Sequence, residues 1–518
     1  MKKQIIVLSA IAAMATTSFA TTDLEKRLNA MEKKILLLEQ KLTQANQKLS
    51  DQLTQDNQEL NTKLTKANKE LGTKLTKANK KLNKKINKVK AHDAKDNIKW
   101  SVDFRTALDS IRYTHVSGKK TSNPDLLTNR LHLGMAFAPS DNVLFKGKLS
   151  YNKAYGDTAN HSQSNTQPGY ANFDWVTNEN ATDNTLKVKE AYWLYKNDTF
   201  FDTEVPWTIS VGRRPSTDGL GINLREGMKE NSPLSHTVNV EFDGLSSKFM
   251  LDKLTGVDGM WWKLCTGRGL TNAKPRFQQD GSSYSEDDTK NPDVDMYGFI
   301  FVPWDNGQYS VHTNYAKAVN MIGFTASDIN DGNNANNEFR DVGDLELFTA
   351  MVKADGIGDG ISDFLDNTKL FASWAQSKTN PNKSHSNNGG MLGSKDSQIG
   401  NSFWIGINMP CLLTTDGRIG IEWNKGSKYW RSMTYGEDTM AGSKIAARGT
   451  AWEIYYDKPL TKSLSLNARY TKIDYDYTGS QAFFGADGTP TAMSDVNPDQ
   501  NDAVKEASDL RVSVSYRF

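Results

Sequence analysis

The sequence predicts an all-β transmembrane antiparallel β-barrel of about 16 strands, with 14 to 18 allowed, preceded by an α-helical coiled-coil segment. Four observations carry this. The 518 residues hold 12 Trp, 18 Tyr, 21 Phe and 38 Gly, yet mean hydropathy is −0.62. No apolar run of roughly 18 residues, the length of a membrane helix, follows residue 20. The C-terminal stretch SDLRVSVSYRF alternates strictly. Leu510, Val512, Val514, Tyr516 and Phe518 share one face, and Arg511, Ser513, Ser515 and Arg517 the other. Residues 23–90 contain no Pro and one Gly, Gly72, and repeat every 11 residues.

Residues 1–20 read as a secretory signal peptide. Lys2 and Lys3 open it, Ile5 to Met14 form an apolar core too short to span a bilayer, and Ser18-Phe19-Ala20 supplies small residues for cleavage. The mature chain is expected to begin at Thr21 and to be exported.

Residues 21–96 read as a helical stalk. Leu28, Met31, Ile35, Leu38 and Leu42 start at heptad-like spacing. From Leu42 the segments beginning at Leu42, Leu53, Leu64, Leu75 and Ile86 are near copies, such as LTKANKELGTK and LTKANKKLNKK. Eleven residues over three turns predict a nearly straight or slightly right-handed supercoil. The seam is expected at Leu53, Leu60, Leu64, Ala67, Leu71, Leu75, Ala78 and Leu82, with Asp56 interrupting it. A polar helix with one narrow apolar seam cannot bury that seam alone, so self-association is expected, a trimer before a dimer. A lone helix lying on the barrel is the alternative.

Charge is segregated. Residues 60–99 hold 13 Lys against Glu70, Asp93 and Asp96, a net of +10. Residues 100–518 hold 42 basic and 51 acidic groups, a net of −9, and the whole chain is +2. The overall balance gives no reason to expect nucleic acid. A Lys-rich stalk either meets an anionic surface, such as cell-wall carboxylates or lipid head groups, or is a solvated helix face.

Residues 97–518 read as the barrel. Trp100, Val102, Phe104, Thr106 and Leu108 alternate with Ser101, Asp103, Arg105 and Asp109. The pattern recurs at 130–137, 143–151, 207–214, 418–424 and 464–471. Pro139 to Asn142, Pro303 to Gly307 and Pro459 to Lys462 look like tight turns. The stretches 156–184, 270–292, 323–340, 378–397, 431–448 and 479–507 look like long polar loops. Both parities carry aromatics around 187–195, 293–302 and 449–457, so those strands cannot be phased. An even strand count leaves both barrel ends on the periplasmic side, and the stalk there with them. Tyr516 and the terminal Phe518 have the pattern of an outer-membrane assembly signal.

Where parity is readable, Arg105, Arg130, Lys146, Lys148, Arg214, Arg418, Arg469, Arg511 and Arg517 point inward, against Asp103 and Glu422. Two readings stay open. Either these line a pore that prefers anions, or loop carboxylates pair with them and leave little selectivity. The stretch 156–184, with Phe173-Asp174-Trp175, is expected to fold inward and narrow the pore.

Enzyme chemistry has little support. The seven His form no H-x-x-x-H pair, and no G-x-S-x-G elbow or phosphate-loop motif occurs. No metal and no cofactor is expected. Asp/Asn-rich stretches such as Glu286-Asp287-Asp288 and Asp328 to Gly332 lack EF-hand spacing and read as solvated loop. Cys265 and Cys411 can form one disulfide or stay free.

Several stretches resemble an uncharacterised, porin-like outer-membrane family of epsilon-class proteobacteria, known as a domain of unknown function. They include DNIKWSVDFRT (96–106), DLLTNRLHLGM (125–135), FKGKLSYNKAYGD (145–157), GRRPSTDG (212–219), NVEFDG (239–244) and GSKYWRSMTYGEDT (426–439). The resemblance covers about 97–518 and implies a barrel with a transport role, without known binding residues. The expected function is therefore an outer-membrane porin for passive diffusion of small hydrophilic solutes, anions among them. It is expected to be an oligomer in contact with outer-membrane lipid. The alternative is a plugged barrel that anchors the outer membrane to the cell wall through its basic periplasmic stalk. An adhesin or receptor built on the long loops is the third reading.

Overall fold

A computed structural model of the protein describes residues 21–96, 98–156, 185–214, 216–273, 292–324, 340–358, 360–382, 390–434, 439–485 and 487–518. The expected signal peptide and the Phe173-Asp174-Trp175 loop lie outside the described residues. The chain divides into two units, 1–89 and 90–518.

In the first unit lies most of one continuous helix, α1 (Thr21–Asp96, 76 residues), about 114 Å long at 1.5 Å per residue. Its threonines lose no hydrogen bond to the helical state. The hydroxyls of Thr43, Thr54, Thr62, Thr65, Thr73 and Thr76 each donate to the carbonyl four residues back. Lys63 pairs with Glu59 one turn earlier at 2.6 Å. Every seam position, Leu53, Leu60, Leu64, Ala67, Leu71, Leu75, Ala78 and Leu82, is exposed, with Leu71 at 65%. A single helix leaves its apolar stripe in water.

The second unit is a closed antiparallel barrel of sixteen long strands. They are β1 (Lys99–His115), β2 (Lys120–Phe137), β3 (Val143–Ala154), β4 (Leu186–Asn197), β5 (Trp207–Arg214), β6 (Phe242–Met250), β7 (Trp261–Leu270) and β8 (Val294–Asp305). Then come β9 (Tyr309–Phe324), β10 (Arg340–Asp355), β11 (Lys369–Pro381), β12 (Ile399–Pro410), β13 (Arg418–Gly426), β14 (Gly449–Pro459), β15 (Leu464–Tyr475) and β16 (Val504–Arg517). Closure is made by β16 on β1, in register from Asp103↔Arg517 to Arg112↔Ser508. The last residue completes it: Phe518 and Val102 exchange both backbone hydrogen bonds, at 2.9 and 3.0 Å. Closure leaves no strand edge unpaired.

Short turns cluster at the end that holds Lys99 and Phe518. Three carry single helical turns or tight Asx geometry: α2 (Asp252–Thr255) between β6 and β7, α3 (Asp363–Asp366) between β10 and β11, and Asn306–Gln308 between β8 and β9. The last corrects the expected turn at Pro303 to Gly307. The strand continues to Asp305, and Pro303, which has no N–H to give, sits at a register shift opposite Val311 to Thr313.

Outward positions form an apolar band. Trp100, Phe104, Leu108, Phe145, Trp193, Leu264, Phe403, Ile405, Trp452, Ile454, Leu510, Val512 and Val514 are all exposed. Toward the long connections the band ends in ion pairs: between strands, Arg268 with Asp295 (2.7 Å), Lys317 with Asp344 (2.9 Å) and Lys425 with Asp476 (2.7 Å), and along β15, Lys472 with Asp474 (3.0 Å). Toward the short turns it ends in a chain of packed rings, Phe200 on Trp207 and Phe249, and Phe249 on Trp262. Cys265 and Cys411 are both free thiols.

Candidate functional site

The interior of the barrel is where charge collects, and connecting segments fill part of it. The segment 216–241 joins β5 to β6, yet its partners lie on the far wall. At its start, a single helical turn (Ile222–Arg225) carries Arg225 to Glu453 on β14 at 3.1 Å. The adjacent Glu226 reaches Arg469 on β15 (3.0 Å) and Arg105 on β1 (3.7 Å). In the middle, His236 bridges Ser373 on β11 (2.7 Å) and Ser402 on β12 (2.9 Å), while Thr237 meets Thr349 on β10. At its end, Glu241 returns to Arg213 on β5 (2.8 Å) and Lys189 on β4 (3.4 Å). A segment tied to both walls crosses the lumen.

Its path depends on glycine. Gly221 has φ of 104°, and a Cβ there would stand 2.2 Å from the Trp404 ring. A second segment, described over 427–434 and 439–448, also folds inward. The two segments pair as parallel two-residue strands, Val238–Asn239 with Met433–Thr434. Lys444 of the second places its Nζ between Glu422 (2.7 Å) and Glu453 (2.5 Å). Trp404 Nε1 donates to the same Glu422 carboxylate at 2.9 Å.

These inserts bring an apolar core into the barrel. Val238, Val240, Met391, Leu392, Met433 and Phe484 from the connections pack on Met296, Ala316, Ala318, Leu345 and Leu347 of β8 to β10. Leu220, Ile222 and Ile445 pack on Met351, Phe371 and Trp404. This explains why 293–302 could not be phased from sequence. Inward Met296 and Ile300 are as apolar as outward Tyr297, Phe299 and Phe301, because loops rather than water cover the inner face. At 187–195 the cause is a bulge. The β3–β4 register passes from Lys148↔Glu190 to Leu149↔Val188, and Lys189, the extra residue, is buried with Glu190. At 449–457, Tyr455 is buried inside beside outward Trp452, Ile454 and Tyr456.

The residues singled out from parity sit as follows. Arg511 pairs with Asp109 at 2.6 Å, and Arg130 and Arg517 share Asp103 at 3.4 and 3.1 Å. Arg105 and Arg469 hold Glu226, and Lys148 holds Glu190 at 2.5 Å. Glu422 holds Lys444. Arg418 donates to the carbonyls of Asn367 and Asn408 and to the Asn408 side chain. Arg214 stacks 4.1 Å over the Tyr192 ring. Lys146 lies opposite Tyr192 on the inner face and is exposed. Most of these cations therefore meet a carboxylate. Asp103 and Asp109 were visible in the alternation, but Glu190 lies on an unphased strand, and Glu226 and Glu241 lie in a segment with no strand pattern. The only hint of it was a Gly-, Pro- and charge-bearing stretch between two strands.

Burial alone would raise the Glu226 carboxyl, but Arg225, Arg469 and Arg105 outweigh it and hold the group well below the usual carboxylate range. His236 has no charged partner, and burial pushes its pKa down to about 3, so it stays neutral. Among the described residues no group of three His, Cys, Asp or Glu stands close enough to hold a metal ion.

The fold is thus a closed antiparallel barrel of sixteen strands, with a connection crossing its lumen. Residues 120–518 match the family described as "Protein of unknown function (DUF3373)", and the chain belongs to that family. No curated protein matches it. Among solved structures it is similar to the anion-selective porin of Comamonas acidovorans (10% identity, TM-score 0.43, covering 82% of this chain and 99% of that one). It is also similar to OmpF of Salmonella typhi in complex with daunomycin (12%, TM-score 0.43, 82% and 99%) and to OmpT of Vibrio cholerae (12%, TM-score 0.39, 81% and 98%).

Proposed function

We propose that this protein is an outer-membrane porin through which small hydrophilic solutes, anions among them, diffuse passively. The observation that carries the reading is the inversion of the barrel: an apolar band outside, and charged side chains inside that are still partly exposed. Lys148 keeps 26% of its side-chain surface and Glu230 32%. The apolar band suits lipid, and the charged interior suits water. The epsilon-class proteobacterial host expected from the resemblance has the double-membrane envelope this requires. The reading calls for no reaction, metal or cofactor. The exposed seam of α1 supports a homo-oligomer, a trimer by preference, with the helices bundled in the periplasm. Their lysines suit contact with the cell wall. Tyr516 and Phe518 would act as the assembly signal.

One set of observations favours the plugged anchor instead. Segments 216–241 and 427–448, with Met391, Leu392 and Phe484, build apolar clusters inside the barrel. Planar-bilayer conductance of the refolded mature chain separates the two. Steady open steps support the porin; silence from folded protein supports the anchor. Deleting 24–90 tests the stalk separately, through cell-wall association.

A further inference from the structure

The inner faces of β5, β6 and β7 can be read from their register. Thr208, Ser210, Gly212 and Arg214 lie beside Lys248, Ser246, Gly244 and Phe242, and these beside Lys263, Cys265 and Gly267. No carboxylate stands on any of these inward positions. Elsewhere in the lumen many cations meet an acid: Arg105, Arg130, Lys148, Arg225, Lys353, Lys444, Arg469, Arg511 and Arg517 all do, while Arg418 and Arg448 are held by amide and carbonyl oxygens. Arg214, Lys248 and Lys263 form no ion pair with any described carboxylate, and neutral groups hold them instead.

Lys248 and Lys263 are directly opposite one another. Such a pair puts Cβ atoms about 5 Å apart, and like charges there are destabilising. Lys248 Nζ rests 3.9 Å over the Trp261 ring. Lys263 Nζ donates to Ser232 Oγ at 2.9 Å. Each ammonium has three donors, so most of its capacity is unused. The Arg214 guanidinium sits 4.1 Å over the Tyr192 ring, and its Nε and Nη1 are buried without a hydrogen-bond partner. Lys263 feels the repulsion of Arg214, and Lys248 that of Lys263. The carboxylates whose fields reach Lys248 are Asp305 and Glu230, and Glu230 is already bonded to Lys353 at 3.2 Å. Arg214 and Lys263 line one cavity of about 80 Å³ together with Ser216, Ser232, Ser246 and Asn314. That volume holds several waters, or one tetrahedral oxyanion. The rest of its wall is apolar, from Val238, Phe242, Met296 and Ile300, which strengthens any charge interaction inside it.

We propose that Arg214, Lys248 and Lys263 form an anion site on the inner wall of β5 to β7, suited to a compact oxyanion of more than one negative charge. An anion there replaces mutual repulsion with charge-assisted hydrogen bonds, and the hydroxyls of Ser216, Ser232 and Ser246 supply further donors. As a station for solutes in transit the site rests on the porin reading; as a binding site it does not.

The test uses the full refolded chain, inorganic phosphate as the probe, and chloride at equal ionic strength as the comparator. The variant carries Lys248→Gln and Lys263→Gln together. Phosphate is expected to raise the melting temperature of the unmodified protein more than chloride does. In the variant that response should fall by at least about half, while stability without phosphate holds or rises because the repulsion is gone. In bilayers the anion-to-cation permeability ratio should fall at least about twofold in the variant. Equal responses to phosphate and chloride, or a variant that keeps the full phosphate response, would overturn the site. A barrel that is silent in bilayers but keeps the phosphate shift retains the site and refutes conduction.

Discussion

Replacing Lys444 with Met removes the cation that pins segment 427–448 inside the barrel. Its ammonium is 2% exposed and touches Glu422 at 2.7 Å and Glu453 at 2.5 Å. At an effective dielectric constant of about 20, each contact is worth about 6 kcal/mol of gross attraction. Desolvation of three ions offsets most of this, and breaking such a buried group by removing one partner costs about 3–5 kcal/mol. Methionine fills a similar volume, so the loss is electrostatic rather than steric. Glu453 keeps Arg225, but Glu422 keeps only the Trp404 indole. A loss of about 3 kcal/mol shifts an inward–outward equilibrium of the segment more than a hundredfold. The assay is single-channel conductance, with limited proteolysis of 427–448 alongside. Lys444→Met should raise conductance or its noise and expose the segment to protease. Adding Glu422→Gln should recover part of the loss, because the orphaned carboxylate is then neutral. Unchanged conductance and unchanged proteolysis in the single variant would refute the view that this ion cluster holds the segment in place.

Gly221→Ala should displace segment 216–241, since the new Cβ meets Trp404 at 2.2 Å and φ is 104°; a cost of roughly 1–3 kcal/mol should appear as a lower melting temperature and altered conductance. His236 makes the same segment acid-sensitive. Its pKa is about 3 in the fold against 6.5 when exposed, so the unfolded state takes up a proton first and stability falls as pH drops below 6.5. At pH 5 this amounts to about 2 kcal/mol, read as faster hydrogen exchange at 234–241, and His236→Gln should abolish the pH dependence. In α1, Leu64→Asp with Leu71→Asp should lower the oligomeric state seen by native mass spectrometry. Barrel spectra should be unchanged, because both side chains are exposed on the helix. Removing Phe518 deletes both of its backbone bonds to Val102 and should reduce the assembled fraction in the outer membrane.

Much of the barrel is legible in the sequence. Period-2 alternation in β1, β2, β3, β5, β13, β15 and β16 was readable as two faces, because the inside and outside of a barrel impose opposite demands on neighbouring residues. The same rule anticipated an even ring of sixteen strands and its long connections. The eleven-residue period predicted one uninterrupted helix, since helical hydrogen bonds are local and need no distant partner. Parity failed where a third environment replaced water. On β8 to β10 the inner face packs against inserted segments, so Met296, Ala316 and Leu345 are apolar where a wet lumen would want polar groups. On β4 one extra residue, Lys189, shifts the phase. Which segment crosses the lumen was also out of reach. Arg225 and Glu453 are 228 residues apart, and Arg511 and Asp109 are 402 apart. Ion pairs at such separation exist only once the barrel closes, so composition and local pattern show the charges, and tertiary structure alone decides which of them neutralise each other.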